Sequence, residues 1–304
     1  MTATFYLFDV EHGQSAALRL PNGRWCVFDL GCTDAFSPVR WIADRATLVA
    51  RIAGIQTDFK ILKATVSHLH GDHLADYISL FWHGPDFLKA VYVDAEYLED
   101  CYTTCADSSA IARIRGFLQW YGDRFSLTTV IPDYGGATVR EMCLPVTRAR
   151  QIGGDANAPV NNASVATRID IYGNSILLCG DMQKDAWEAI INDNGIYGPA
   201  WRPFLSNTDI LVAPHHGHRS GYSTDLLYLA NPAVVLVSAE TQDPNVDSRY
   251  SQSPVRGMTI GDTTYNYIST RQKGHIRVDI HPPANPWLSQ KGITYWTFGG
   301  EALQ

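Results

Sequence analysis

The chain has 304 residues, 45% apolar and 18% charged, a composition that suits a soluble globular protein and fits one large domain or two ordinary ones. A formal net charge of −7 argues against a protein that lives by long-range, non-specific attraction to nucleic acid. It leaves room for a locally positive groove, or for metal ions that receive phosphate. The N-terminus (MTATFYLFDV) has neither the basic nor the apolar region of a signal peptide, and no run approaches eighteen apolar residues. No membrane association is therefore expected. The six cysteines are scattered; Cys101 and Cys105 could form a metal half-site, but no second Cys/His pair lies nearby. Reduced thiols in a cytoplasmic protein are the expectation.

In chain order, residues 4–10, 15–20 and 25–30 read as strands, with Pro21-Asn22-Gly23 as a hairpin turn. Asp29 ends the third strand and is either a turn former or a carboxylate that orients a neighbouring histidine. Residues 37–54 carry apolar side chains at helical spacing and stop at Gly54. An apolar, β-rich run (59–66, FKILKATV) then enters Ser67-His68-Leu69-His70-Gly71-Asp72-His73, with three imidazoles and a carboxylate in six consecutive positions. His68 and His70 share one side if the chain is still extended there, and a turn at Gly71 brings Asp72 and His73 to a second point. One loop can thus supply half the ligands of two adjacent divalent ions, for which imidazole and carboxylate are good donors. A helix over 74–82 leaves this loop, with His83 as its cap.

The stretch 84–150 is less legible. LKAVYVD (88–94), FSLTTVI and ATVREMCLPV look like strands, and Glu96 to Tyr121 like one long helix or a pair. A strand ASVATRIDIY follows Asn161-Asn162, and a hairpin about Gly173-Asn174 leads to the buried strand SILLC and Gly180-Asp181. The design recurs at TDILVAP, an apolar strand running into His215-His216-Gly217-His218-Arg219-Ser220. PAVVLVSA is a further strand, residues 266–278 close the fold with the look of an edge hairpin, and the tail from Pro282 can pack back as a strand. His275 and His281 are expected outside any site.

The HxHxDH string resembles the signature of the metallo-β-lactamase fold. Four further segments are similar to the ComEC-type branch, the domain attached to bacterial DNA-uptake channels. They are Phe8-Asp9-Val10-Glu11-His12-Gly13-Gln14-Ser15-Ala16, Val160-Asn161-Asn162-Ala163-Ser164-Val165, the His215-His216-Gly217 run, and the segment with Thr270, Gly274 and Ile276 beyond it. Departures stand at Glu11, His12 and Gln14 in the entry loop and at His218, where that branch has Ser. His12 and His218 are each either site residues or solvated turn histidines. There is no histidine between His83 and His215, so the third histidine common at site one is missing, and Asn162 or a water would fill its place.

The resemblance implies an α/β fold, the αββα sandwich, as a single domain with a variable insertion over 84–150. It implies two divalent ions, Zn or Mn. His68, His70 and Asp181 hold one; Asp72, His73, Asp181 and His215 hold the other, with Asp181 bridging. Asp29 would orient a ligand, Asp72 the attacking hydroxide between the metals. His216 would donate a proton to the leaving oxygen, and Arg219 and Ser220 would hold phosphate. The implied activity is a phosphodiesterase or nuclease. Alternatives are hydrolysis of small or cyclic nucleotides or of another ester or amide, and a non-catalytic metal-binding module. The channel partner is not carried over.

Overall fold

The computed structural model describes residues 1–54, 59–91, 93–105, 107–122, 131–240, 243–252, 254–260, 262–283 and, for the backbone alone, 292–297. Five strands come first: β1 (Ala3–Leu7), β2 (Ala16–Arg19), β3 (Trp25–Phe28), β4 (Lys63–Thr65) and β5 (Phe87–Lys89). Then follow β6 (Thr138–Met142), β7 (Ala166–Ile171), β8 (Asn174–Leu178), β9 (Ile210–Val212) and β10 (Val234–Val237). A small hairpin of β11 (Met258–Ile260) and β12 (Thr263–Tyr265) precedes β13 (Tyr267–Ser269), β14 (Ile276–His281) and β15 (Gly292–Thr297). One sheet runs β15-β14-β1-β2-β3-β4-β5 and the other β13-β10-β9-β8-β7-β6.

Alternation along the strands explains why the sheets stack. Phe5, Leu7, Leu18, Cys26, Phe28 and Val278 of the first sheet meet Ile169, Ile176, Leu178, Ile210, Val212 and Leu236 of the second in one buried cluster. Their strand neighbours face outward, as period-two side chains must. On the first sheet these are Tyr6, Phe8, Val27 and Ala64, packed with Val39 and Ile42 of α1 (Pro38–Ile52). On the second they are Leu177, Leu211, Val235 and Val237. These belong to the same cluster as Trp187 of α7 (Lys184–Ile191), Trp201 of α8 (Tyr197–Leu205) and Leu226 of α9 (Thr224–Ala230). The result is a four-layer αββα sandwich. Burying each such side chain stabilises by about 1.5–3 kcal/mol, so both faces of both sheets favour folding. The expected helix over 37–54 starts where Ser37 Oγ accepts from Arg40 N (3.1 Å), with Pro38 in its first turn.

Residues 84–150 are built into both sheets: β5 and β6 are their edge strands. The segment also holds α3 (Ala95–Thr104), α4 (Ser108–Gly122) and α5 (Val146–Ala149), so Glu96 to Tyr121 forms a pair of helices. The strand expected at FSLTTVI lies, apart from Ile131, outside the described residues. The edge strand β6 is clamped to β4 where the sheets meet. Glu141 of β6 takes Lys63 Nζ at 2.6 Å and Thr65 Oγ1 at 2.5 Å, both from β4, with about a tenth of each ion-pair side chain exposed.

One expectation is corrected. Residues 266–278 do not form a hairpin, because β13 lies parallel to β10 in the second sheet while β14 pairs antiparallel with β1 in the first. The helical turn α10 (Thr270–Lys273), ended by Gly274 at φ 71°, carries the chain between sheets. A side chain there would oppose the left-handed turn. β15 then pairs with β14, as expected for the tail. His275 accepts from Asp9 N at 2.9 Å through Nδ1, and burial pushes its pKa down to about 4. His83 caps α2 (Tyr77–Trp82) through its backbone N–H.

Removing Glu141 tests the clamp. Glu141→Ala strands Lys63 between the sheets and is expected to cost about 3–5 kcal/mol, read as a lower urea midpoint. The double variant Lys63→Met, Glu141→Leu should recover most of it.

Candidate metal centre

The sheet topology gathers the chemistry-bearing residues at one rim. β3 and β4 run parallel, as do β8 and β9, so their C-terminal ends emerge together. Asp29 follows β3, Ser67 and His68 follow β4, Asp181 follows β8, and His215 follows β9. Backbone bonds tie these exits: Asp29 N to Thr65 O (2.8 Å), Val165 N to Ser67 O (2.8 Å) and His215 N to Gly180 O (3.0 Å). Gly180, at φ 56°, sits where a Cβ would come within 2.8 Å of Ser164, whose hydroxyl accepts from Asp181 N. Gly13 lets the entry loop touch the metal-binding loop, since a Cβ there would lie 2.6 Å from Asp72 O.

Two sets of donor atoms come together, His68, His73 and Asp181 in one and Asp72, His73 and His216 in the other, each within 4.8 Å. Asp181 Oδ1 lies 3.4 Å from His73 Nε2, and its Oδ2 lies 3.3, 3.8 and 4.0 Å from Nε2 of His216, His68 and His215. Asp72 Oδ2 is 3.3 Å from His216 Nε2 and 3.6 Å from His73 Nε2. His70 is part of the same array, with Nδ1 3.0 Å from His68 Nε2.

Hydrogen bonds on the far side of each ring decide which nitrogen offers its lone pair. Asp29 accepts from Ser67 N (2.7 Å), Ser67 Oγ (2.9 Å) and Gln14 Nε2 (3.1 Å), and stands 3.0 Å from His73 Nδ1. The His73 proton is therefore on Nδ1, and Nε2 faces the cluster. Ser67 has given its own proton to Asp29, so its oxygen accepts from His68 Nδ1 at 3.0 Å, again leaving Nε2 inward. Thr104 donates to Asp100 O (2.8 Å) and accepts from His70 Nε2 (3.2 Å), which turns the Nδ1 lone pair of His70 inward. Ser220 Oγ is 2.7 Å from Nδ1 of both His215 and His218, and Ser220 N donates to His218 Nδ1 at 3.1 Å. His218 is then the acceptor, and the proton of His215 rests on Nδ1. Second-shell partners of this kind fix tautomer and raise ligand basicity.

His215 and His216 owe their shared aim to backbone strain. Adjacent side chains of an extended strand point to opposite faces. Here both residues are left-handed, at φ 50° and 54°, at a cost of about 1–3 kcal/mol each. Asp29 is also left-handed, at φ 57°.

Electrostatics follow from the crowding. Burial alone would lower His73 and His216, but Asp181, Asp29 and Asp72 lift His73 well above the usual range, and Asp181 with Asp72 pushes His216 up to about 10. Burial would raise Asp72 and Asp181, yet His73 and His216 hold both well below the carboxylate range. Burial, with His73 beside it, lowers His68; burial also lowers His70 and His215. The arrangement thus calls for positive charge between the carboxylates. Asp181 Oδ1 is buried without a hydrogen-bond donor, and His73 Nε2 and His216 Nε2 approach to 3.2 Å. Borderline divalent cations fit this mixed imidazole and carboxylate set.

The remaining candidates are placed as follows. His12 stands at the mouth, its side chain 69% exposed and Nε2 3.7 Å from Asp72 Oδ2. Arg219 is exposed on the same loop as His218 and Ser220. Asn162 does not turn to the cluster: Oδ1 accepts from Gln183 N (3.1 Å) and Nδ2 donates to Gly153 O (3.4 Å). Its neighbour Asn161 is fully buried with neither end of its amide bonded. Thr104 was missed by sequence reasoning, because no local signal on α3 links it to His70. The six cysteines are free thiols, and no described helix is long and apolar enough to cross a membrane.

No protein-family model matches the chain, and no curated protein matches it. Among solved structures it is similar to the metallo-β-lactamase fold protein YhfI from Bacillus subtilis, at 13% identity over 77% of this chain and 85% of that one, with a TM-score of 0.37. A diphosphatase from the PhnP family matches at 12% identity over 88% and 94%, with a TM-score of 0.43. Zn²⁺-bound PqqB from Methylobacterium extorquens matches at 14% identity over 66% and 58%, with a TM-score of 0.32.

The orienting bonds can be tested directly. Asp29→Asn leaves one acceptor oxygen for four donors, and Thr104→Val removes the acceptor for His70. Each is expected to weaken Zn²⁺ binding about 10- to 100-fold, measured by competition with a chromogenic chelator, with little change in the circular dichroism spectrum.

Proposed function

We propose that this protein is a dinuclear metal-dependent hydrolase of the metallo-β-lactamase type that cleaves phosphodiester bonds, with nucleic acid as its substrate class. The observation that carries the reading is the pair of donor sets that share His73, with Asp181 reaching both. His68, His70 and Asp181 would hold one ion, and Asp72, His73, Asp181 and His216 the other, with His215 beside Asp181. Zn²⁺ or Mn²⁺ held there would supply Lewis acidity to a phosphoryl oxygen and acidify water.

The protein's own groups do the rest. Asp29, Ser67, Thr104 and Ser220 keep the imidazole lone pairs on target. Asp72, on a side chain 23% exposed, is open enough to orient the attacking water. The role of proton donor to the leaving oxygen passes from His216 to His12. His216 Nε2 is enclosed by two carboxylates and its side chain is 7% exposed, whereas His12 reaches solvent beside Asp72. Arg219 extends from the same rim to receive phosphate. The nucleic-acid class is supported by the ComEC-type resemblance of the entry loop, the Asn161-Asn162 segment and the His215-His216-Gly217 loop.

The test is cleavage of labelled single- and double-stranded DNA and RNA by protein loaded with Mn²⁺ or Zn²⁺. Degradation is expected with metal, lost on chelation and in both His68→Ala and Asp72→Ala. His12→Ala should lower turnover while metal content stays unchanged. No cleavage by protein with a filled metal site would overturn the nucleic-acid assignment.

A further inference from the structure

The rim of the first sheet opposite the metal cluster holds a second concentration of charge. The pairing register places Asp279, Thr4, Arg19 and Trp25 in one row across β14, β1, β2 and β3, and Arg277, Tyr6, Ala17 and Val27 in the next. These positions belong to the outward, α1-facing side of the sheet, because Tyr6 and Trp25 pack in the outer cluster while Phe5 and Leu18 face the other sheet. Against the two rows lies an open cavity of about 790 Å³, whose cationic side chains are Arg19, Arg24, Arg45, Lys60 and Arg277. The small side chains of Ala46 and Ala50 of α1, and of Ala53 just beyond it, line this opening.

Five cations around one cavity run against the protein's average, since Asp and Glu outnumber Lys and Arg by 31 to 24. Asp86 pairs with Arg24, and Asp279 pairs with Arg277 at 2.8 Å. Arg45 lies over Trp41, 4.8 Å from the ring centroid. Among the described residues no ion pair involves Arg19 or Lys60. The Tyr6 phenol offers the same cavity a neutral donor. Tyr6 is only 6% exposed, it lines the cavity, and its hydroxyl makes no hydrogen bond among the described residues. Burial, with Asp279, raises its pKa while Arg277, Arg45 and Arg19 pull it down.

We propose that this cavity is a binding site for a small phosphate-bearing anion, separate from the metal centre. Guanidinium groups match phosphate oxygens with paired N–H donors, and the phenol adds a neutral one. The flanking rings of Tyr6 and Trp25 and a volume larger than a lone phosphate needs suit a ligand of nucleotide size. The net acidity of the rest of the surface favours a compact anion over a long polyanion, which would have to cross it.

The probes are inorganic pyrophosphate and AMP, titrated calorimetrically into chelator-treated protein so that the metal centre contributes nothing. Saturable binding is expected, and it should persist in His68→Ala and in Arg140→Ser, which removes an exposed cation of β6 in the second sheet that pairs with Asp170. The pair Arg19→Ser, Lys60→Ser should weaken it by at least about 10-fold, the scale of a lost charged hydrogen bond. Tyr6→Phe, which preserves packing, should weaken it about 3- to 10-fold. Absence of saturable binding would overturn the site. So would equal weakening in Arg140→Ser, which would mean diffuse charge, or loss in His68→Ala, which would place the anion at the metal cluster. Because chelated protein is used, these outcomes are independent of whether the protein cleaves nucleic acid.

Discussion

The carboxylate of Asp29 is the interaction on which the rim depends. It accepts from the Ser67 backbone and hydroxyl and from Gln14, and it faces His73 Nδ1. One buried anion therefore fixes His73 directly and His68 through Ser67, and it fastens the ends of β3 and β4 to the entry loop. Hydrogen bonds replace the water that so fully engaged a carboxylate has lost. The position of both imidazoles then follows from two oxygen atoms.

The sandwich is what makes such crowding tolerable. Left-handed backbone at Asp29, His215 and His216, together with carboxylates set a few ångströms apart, opposes folding locally. Behind the rim, two sheets buried on both faces offset that cost. The strained residues stand just past strand ends, where the backbone is released from ladder bonds but still anchored by them. This is also why the site lies at the exits of parallel strands: neighbouring chains leave the sheet side by side with their side chains free to converge.

The opposite rim shows the same geometry used for the other sign of charge. Near the cluster, imidazoles serve anionic oxygens that call for cations. On the far side, cross-strand register sets Arg19 and Arg277 near Tyr6, so basic side chains gather there. The separation of the two follows strand direction: β2 runs antiparallel to β3, so Arg19 at its end sits beside Trp25 at the start of β3, away from the exit that leads to Asp29.

The local pattern carried a good part of this. Alternation marked the strands that build both sheets, and Ser37-Pro38 with Gly54 framed α1. His68 to His73 declared a metal-binding loop because donors so close in sequence cannot avoid one another in space. Asp181 and His215-His216 each end an apolar strand, and the family resemblance of the segments in company set them apart from ordinary turns. Tertiary structure decided what lies between segments. Thr104 reaches His70 from a helix thirty-four positions away, with nothing in its own surroundings to announce it. His216 rather than His215 stands between Asp72 and Asp181, because consecutive left-handed residues reverse the order an extended strand would give. β13 and β14 are close in sequence, yet they enter different sheets, β13 beside β10 and β14 beside β1. Local pattern determines which residues form an element and which side they show; only the packed sheets determine which elements meet, because that choice depends on surfaces brought together from all along the chain.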